Sequence, residues 1–338
     1  MRQQRLLSIQ YLRAVAALSI LLFHLTLRYG AATPISSFRT DLFFIMSGFI
    51  LWVITVDRPA NPGEFLLKRI IRIVPHYWLA TVATALLILI KPNFTYGHQL
   101  DVFRFIGSLV FFPTLAGDRI LPVVLQAWPL VYEMMFYFLF AMSLFVRQAF
   151  RPYVLASMLC TLMACHLSTT EPHIVAATNP NIIGEFLAGI LLGVLWTNCV
   201  LPPRTAAAVF FVGILSLMLA EYYQISAVPA LRAGIPSLLV VAGAAFYEKT
   251  QRVVQISLMR VLGDASYSIF IWHVFVSIIL HGLLLRTHFP VQLQFVIEVI
   301  GTIFFCCVIY ITLERPLNDA LRRLFAARSA QHAAPQLP

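Results

Sequence analysis

The chain has 338 residues, of which 60% are hydrophobic and 11% charged, with a mean hydropathy of +0.84; a soluble domain carries about 25% charged residues. Stretches of the ~20 apolar residues needed to cross a ~30 Å hydrocarbon core recur along nearly the whole chain, which excludes a sizeable soluble domain. The net charge of +10 comes from Lys and Arg spread over the loops between apolar stretches, where such charge orients a membrane chain, so no nucleic-acid partner is expected.

Eleven apolar stretches follow in order: about 8 to 28, 38 to 56, 74 to 90, 103 to 116, 127 to 146, 152 to 167, 181 to 197, 205 to 221, 231 to 247, 264 to 285 and 291 to 313. The first resembles a secretory leader in position, but the internal Arg13 and the polytopic pattern behind it predict a retained helix. If all eleven crossed, Arg147 and Arg151 would fall on the side opposite the other basic loops. If the short fourth stretch does not cross, every basic loop lies on one face. The expectation is therefore an all-α, polytopic membrane bundle of about ten transmembrane helices, with 103 to 116 a re-entrant or surface segment and both termini cytoplasmic. Residues 1–316 would form the membrane domain and 317–338 a basic cytoplasmic tail. The segment from Asp57 to Pro75 mixes charge with helix-period apolar residues and is expected to lie along the interface.

Cysteine chemistry adds nothing: Cys160, Cys165, Cys199, Cys306 and Cys307 are odd in number and lack metal or disulfide spacing. Neither a metal nor a prosthetic group is predicted.

The informative residues are ionisable ones in apolar surroundings. Arg13 and His24, at the ends of LRAVAALSILLFH, are eleven residues apart; at 100° per residue both project from one helix face, about 16 Å apart along the axis. Arg13 alone reads equally as a snorkelling side chain. His24 lies deeper, where an ionisable group is costly and usually faces a cavity, and neutral imidazole is a competent base at neutral pH. Asp41 in TDLFFIMSGFIL, Glu133 in AWPLVYEMMFY and Glu185 are expected at similar depth, so His24 with Asp41 and Glu133 would form a base and an orienting carboxylate. For Asp41 and Glu185 a helix N-terminal position is an equally simple reading. On the basic face, Lys68, Arg69 and Arg72 in KRIIRIVPHYW suit phosphates or lipid headgroups. His273 in SYSIFIWHVF lies mid-membrane, structural or functional.

The blocks LRAVAALSILLFH, DLFFIMSGFIL, KRIIRIVPHYW, WPLVYEMMFY, LGDASYSIFIWH and LERP resemble, in order and spacing, the membrane acyltransferase-3 family of bacterial O-acetyltransferases, over nearly the whole chain. The opening SIQYLRAVAAL is most similar to the branch associated with exopolysaccharide acetylation. The resemblance implies an acyl-CoA-dependent O-acyltransferase of the bacterial inner membrane. It makes His24 the catalytic residue and associates Arg69 and Arg72 with the acetyl-CoA donor; their positions add Arg13 to the donor side and Glu133 or Asp41 as the carboxylate that orients His24. The Trp-plus-acid block maps onto Trp128 and Glu133; Trp128, Tyr267 and His273 are the candidate substrate-binding residues. This chain departs from the family pattern at Pro129, where a Ser is usual, and has a single acid in Tyr132-Glu133-Met134.

The implied reaction is acetyl transfer from acetyl-CoA to a hydroxyl of a saccharide acceptor, lipid-linked or polymeric, with membrane lipids and polysaccharide-synthesis machinery as partners. His24 acts as a general base or carries a transient acetyl group. A peptidoglycan, lipid or small-molecule acceptor, or another acyl group, keeps the same chemistry. A secondary transporter or lipid-linked sugar flippase is the rival from another class, since carriers also use intramembrane His, Asp and Glu; the chain shows no inverted repeat.

Overall fold

A chain that crosses hydrocarbon must satisfy its own backbone groups, and open segments do so as helices. The computed structural model describes residues 6–30, 39–56, 61–90, 100–116, 119–223 and 230–333. Its helices in chain order are α1 (Leu7–Arg28), α2 (Arg39–Thr55), α3 (Pro62–Ile90), α4 (Val102–Leu109), α5 (Trp128–Ser143), α6 (Arg151–Ser168) and α7 (Pro172–Ala177). These are followed by α8 (Pro180–Asn198), α9 (Pro203–Tyr222), α10 (Ile235–Thr250), α11 (Ser257–Asp264), α12 (Ser266–Leu284), α13 (Val291–Ile309) and α14 (Arg315–Ala333). A two-residue ladder, β1 (Leu115–Ala116) with β2 (Arg119–Ile120), is the one strand pairing among the described residues.

Seven helical stretches, containing α1, α3, α6, α8, α9, α12 and α13, are long and apolar enough to cross a membrane. The helices α2, α5 and α10 are apolar but shorter, at 17, 16 and 16 residues. Phe211, Met218, Ile279, Ile300 and Phe304 project outward from α9, α12 and α13; on a soluble protein such a surface would be a liability, whereas hydrocarbon accepts it. The chain is a multi-pass, all-α membrane protein.

Close packing fixes the helices that matter for the site. Gly48 of α2 and Gly189 of α8 allow backbone contact: a Cβ on Gly189 would lie 2.2 Å from the Ile45 carbonyl oxygen, and one on Gly48 2.4 Å from that of Phe186. Small residues at helix crossings are the usual device for such contact in membranes. The start of α1 is held by another helix: the Glu248 carboxylate at the end of α10 accepts from the backbone N–H groups of Leu7 (2.7 Å) and Ser8 (2.8 Å) and from the Ser8 hydroxyl (2.6 Å). It thereby satisfies donors that a helix N-terminus leaves open.

One expectation changes. The interfacial segment and the third span form one 29-residue helix, α3, running through Pro75; residues 57–60 of that segment lie outside the described residues. Pro75 removes one donor, which a packed membrane helix tolerates. The fourth apolar stretch is the eight-residue α4 followed by the β1–β2 ladder, about 12 Å of helix, too short to cross.

This segment nevertheless enters the bundle. Trp78, beyond the middle of α3, donates its indole N–H to the Leu109 carbonyl (2.8 Å), and Tyr77 stacks on Phe111 with ring centroids 4.7 Å apart. Phe111 takes a left-handed φ of 58°, a conformation costly for an aromatic residue. The buried Arg104 clamps the return strand through the carbonyls of Leu121 (3.1 Å) and Pro122 (2.9 Å). Gln126, just before α5, donates to the Ile271 carbonyl (2.8 Å), within the first third of α12. Hence α5 starts deep inside the bundle, not at its surface.

Candidate functional site

Two polar centres lie at different levels of α1. The first is a cavity of about 100 Å³ between α1, α2, α3, α5 and α12, whose polar lining includes Arg13, Arg69, Arg72, Glu133, Tyr137 and Ser266. Helical spacing explains the convergence: Arg69 and Arg72 are three apart on α3 and share a face, as do Glu133 and Tyr137, four apart on α5. Arg13 donates to the Ser266 hydroxyl at the head of α12 (2.8 Å). Arg69 lies over the rings of Phe65 and Tyr137, 5.4 and 5.5 Å from their centroids, a placement that orients a guanidinium while leaving its edge to bind. Its Nε is buried without a hydrogen-bond partner. Tyr137 donates to the Glu133 carboxylate, and the Ser47 hydroxyl approaches it at 3.3 Å. The cavity lining carries three guanidiniums and one carboxylate.

The second centre is a histidine pair. His24 Nδ1 and His273 Nε2 are 3.1 Å apart, with ring centroids at 5.0 Å. His24 Nδ1 also lies 2.9 Å from the Ile20 carbonyl, and His273 Nδ1 lies 2.9 and 3.0 Å from those of Ile269 and Phe270. One turn further along α1, Arg28 pairs with the fully buried Glu298 of α13 (2.6 Å), which also accepts from Tyr29 (2.8 Å) and contacts His281 (3.0 Å). Phe43 and Phe270, rings 6.3 Å apart, form part of the cavity wall. Because the Phe270 carbonyl holds His273, one residue of α12 touches both centres.

The structure thus gathers Arg13, Arg69 and Arg72 in one place and sets His24 about 16 Å along the same helix. Tyr267 lines the cavity, but its hydroxyl donates to the Ile73 carbonyl (2.8 Å), so the residue offers a wall and not a free donor. Four candidate residues lie elsewhere than expected. Glu133 joins the arginines and not His24, because α5 begins deep in the bundle and carries it toward the basic end. Asp41 is hydrogen-bonded to Glu185 of α8, on the side of α2 that the glycine contacts press against α8. Trp128 packs at a tilt against Phe44 and edge-on against Tyr132, centroids 6.4 and 6.1 Å away, outside the cavity lining. His273 has both ring nitrogens occupied, leaving none for a substrate.

The sequence alone did not single out Tyr137 or the Arg28, Tyr29, His281 and Glu298 cluster. The signal for Glu298 was present: a lone carboxylate in VQLQFVIEVIGTIFF needs a partner.

Residues 6–312 match the family described as an acyltransferase domain. The chain belongs to the acyltransferase-3 family. It is also 35% identical over 325 residues to the exopolysaccharide production protein ExoZ of Rhizobium meliloti (strain 1021), an alignment covering 91% of this chain and 96% of that protein. No solved structure matches it. The residues on which the resemblance was drawn occupy both centres: Arg13, Arg69 and Arg72 line the cavity, and His24 meets His273. The closing LERP of this acyltransferase-3 chain puts Glu314 in a π-turn, Tyr310–Glu314, where Ser268 donates to it.

Proposed function

We propose that this protein is an O-acetyltransferase of the bacterial inner membrane. It moves an acetyl group from cytoplasmic acetyl-CoA to a hydroxyl of an exported or lipid-linked saccharide, in exopolysaccharide production. The observation that carries the reading is the placement on one face of α1 of a three-arginine cavity and, about 16 Å along, a histidine. A donor with phosphates at one end of a long flexible arm and a thioester at the other spans these two centres. The likeness to an exopolysaccharide production protein supports the acceptor class.

In this reading α2, α5 and α10 complete a set of ten spans, with both termini and all the basic loops on the cytoplasmic face. Arg13, Arg69 and Arg72 hold the donor's phosphates by charge and planar fork geometry. His24 takes the proton of the acceptor hydroxyl as its oxygen attacks the thioester carbonyl; the C–S bond breaks and the departing thiolate takes that proton up. The test is transfer by purified protein from labelled acetyl-CoA to the polysaccharide repeat unit of the host. Label should enter the saccharide with wild type and not with His24→Ala, provided that variant inserts and purifies normally. An unlabelled saccharide with wild type, or a fully active His24→Ala, sinks the reading.

A further inference from the structure

We propose that His273 is the positioning residue that sets the tautomer of His24 and so makes Nε2 of His24 the basic nitrogen. The inference rests on the transferase reading above and adds which atom of His24 works and what directs it.

A carbonyl oxygen only accepts. His273 Nδ1, within 2.9 and 3.0 Å of the Ile269 and Phe270 carbonyls, therefore carries a hydrogen. A neutral imidazole has one N–H, so Nε2 of His273 is an acceptor, and it faces Nδ1 of His24 at 3.1 Å. His24 Nδ1 accordingly donates. The same assignment follows independently from the Ile20 carbonyl, 2.9 Å from His24 Nδ1. Two acceptors converge on one nitrogen, and the lone pair of His24 is left on Nε2.

The surrounding charges agree with a neutral pair. His273 is 1% exposed. One turn beyond His24, the next charged cluster is Arg28 and Tyr29 at the end of α1 with His281 on α12 and Glu298 on α13. Glu298 has its oxygens committed to Arg28, Tyr29 and His281, so it is no counter-ion for a charged pair. A carboxylate in the place of His273, as in the familiar triads, would add an uncompensated charge to an apolar interior. A neutral histidine supplies the same orienting acceptor without it. During transfer the Nδ1–H stays in place: Nε2 takes the hydroxyl proton, the transient imidazolium donates to His273 and Ile20, and Nε2 returns the proton to the thiolate.

The test compares His273→Leu, which removes the acceptor, with His273→Gln, whose Oε1 reaches the position that Nε2 of histidine occupies. His24→Ala is the reference for the loss of the base. With acetyl-CoA and the host repeat unit, His273→Leu should lower kcat by roughly 10²- to 10⁴-fold, the range for losing an oriented general base or its tautomer. The donor KM should stay within about threefold, since His273 touches no part of the arginine cavity. His273→Gln should recover most of the lost kcat. Solid-state nitrogen NMR of histidine-labelled wild type should show His24 protonated at Nδ1 and bare at Nε2.

A His273→Leu protein with wild-type kcat, alongside an inactive His24→Ala, overturns the positioning role and leaves the transferase reading standing. An inserted His273→Gln as inactive as His273→Leu overturns it too. If His273→Leu fails to insert, the glutamine variant and the wild-type NMR tautomer decide, and an Nε2-protonated His24 refutes the proposal. An active His24→Ala removes the transferase site reading itself.

Discussion

Glu133 gives the sharpest division between two roles for a carboxylate. It lines a cavity with Arg13, Arg69 and Arg72 and is bonded to Tyr137, so on the proposed reading it is a counter-ion to the arginines that hold the donor. Glu133→Gln keeps the shape and an oxygen to accept the Tyr137 bond, and removes one negative charge. For an anion about 10 Å away, at an effective dielectric constant of about 20, one unit charge is worth about 1.7 kcal/mol. That corresponds to a donor KM lowered by up to roughly 20-fold at low ionic strength. The gain should shrink as salt rises and the screening length falls toward ~8 Å. The assay is initial-rate kinetics with labelled acetyl-CoA at two salt concentrations, and kcat should move by less than about threefold. A kcat loss of about 100-fold or more, the size expected of a lost acid or base, with KM unchanged would refute the counter-ion role. A raised KM would refute it as well.

Arg72→Ala takes a cation from the same cavity and should raise the donor KM roughly 20-fold, from the same Coulomb estimate with the opposite sign, while leaving acceptor KM near wild type; saturation curves for both substrates check this. Gly189→Val drives a side chain into the Ile45 backbone and should cost about 1 to 3 kcal/mol as overpacking does, seen as a lower unfolding temperature in detergent. Gly184→Val on the same helix, where a Cβ meets nothing within 4 Å, is the matched control. The exposed Cys199 after α8 should react with a membrane-impermeant maleimide in inside-out vesicles and not in intact cells; the reverse would overturn the ten-span topology.

Helix ends were close to legible: apolar runs expected at 8 to 28 and 38 to 56 appear as Leu7–Arg28 and Arg39–Thr55, because hydropathy and helix length are both set by the hydrocarbon. The shared face of Arg13 and His24 was legible too, since it depends only on helical period. Depth was not. Glu133 was placed by counting from the start of its helix, and nothing local in AWPLVYE shows that the preceding residues descend to the level of Ile271. The partner of His24 was equally hidden, because His273 is 249 residues away and the contact is made by packing of α1 on α12. Local polarity even pointed elsewhere, to carboxylates that the fold gives to arginines and to Glu185.

The backbone contact between α2 and α8 has a bearing on how the donor enters. The inner lining that α2 contributes is fastened to a helix that does not itself face the cavity, so it behaves as a fixed floor. On the proposed reading, a cavity of about 100 Å³ takes only a fragment of an acyl-CoA, so donor entry has to displace lining side chains. Those of α3 and α5 are themselves held, Arg69 over the Phe65 and Tyr137 rings and Tyr137 by its bond to Glu133, so loading would unseat these contacts and leave the α2–α8 floor in place.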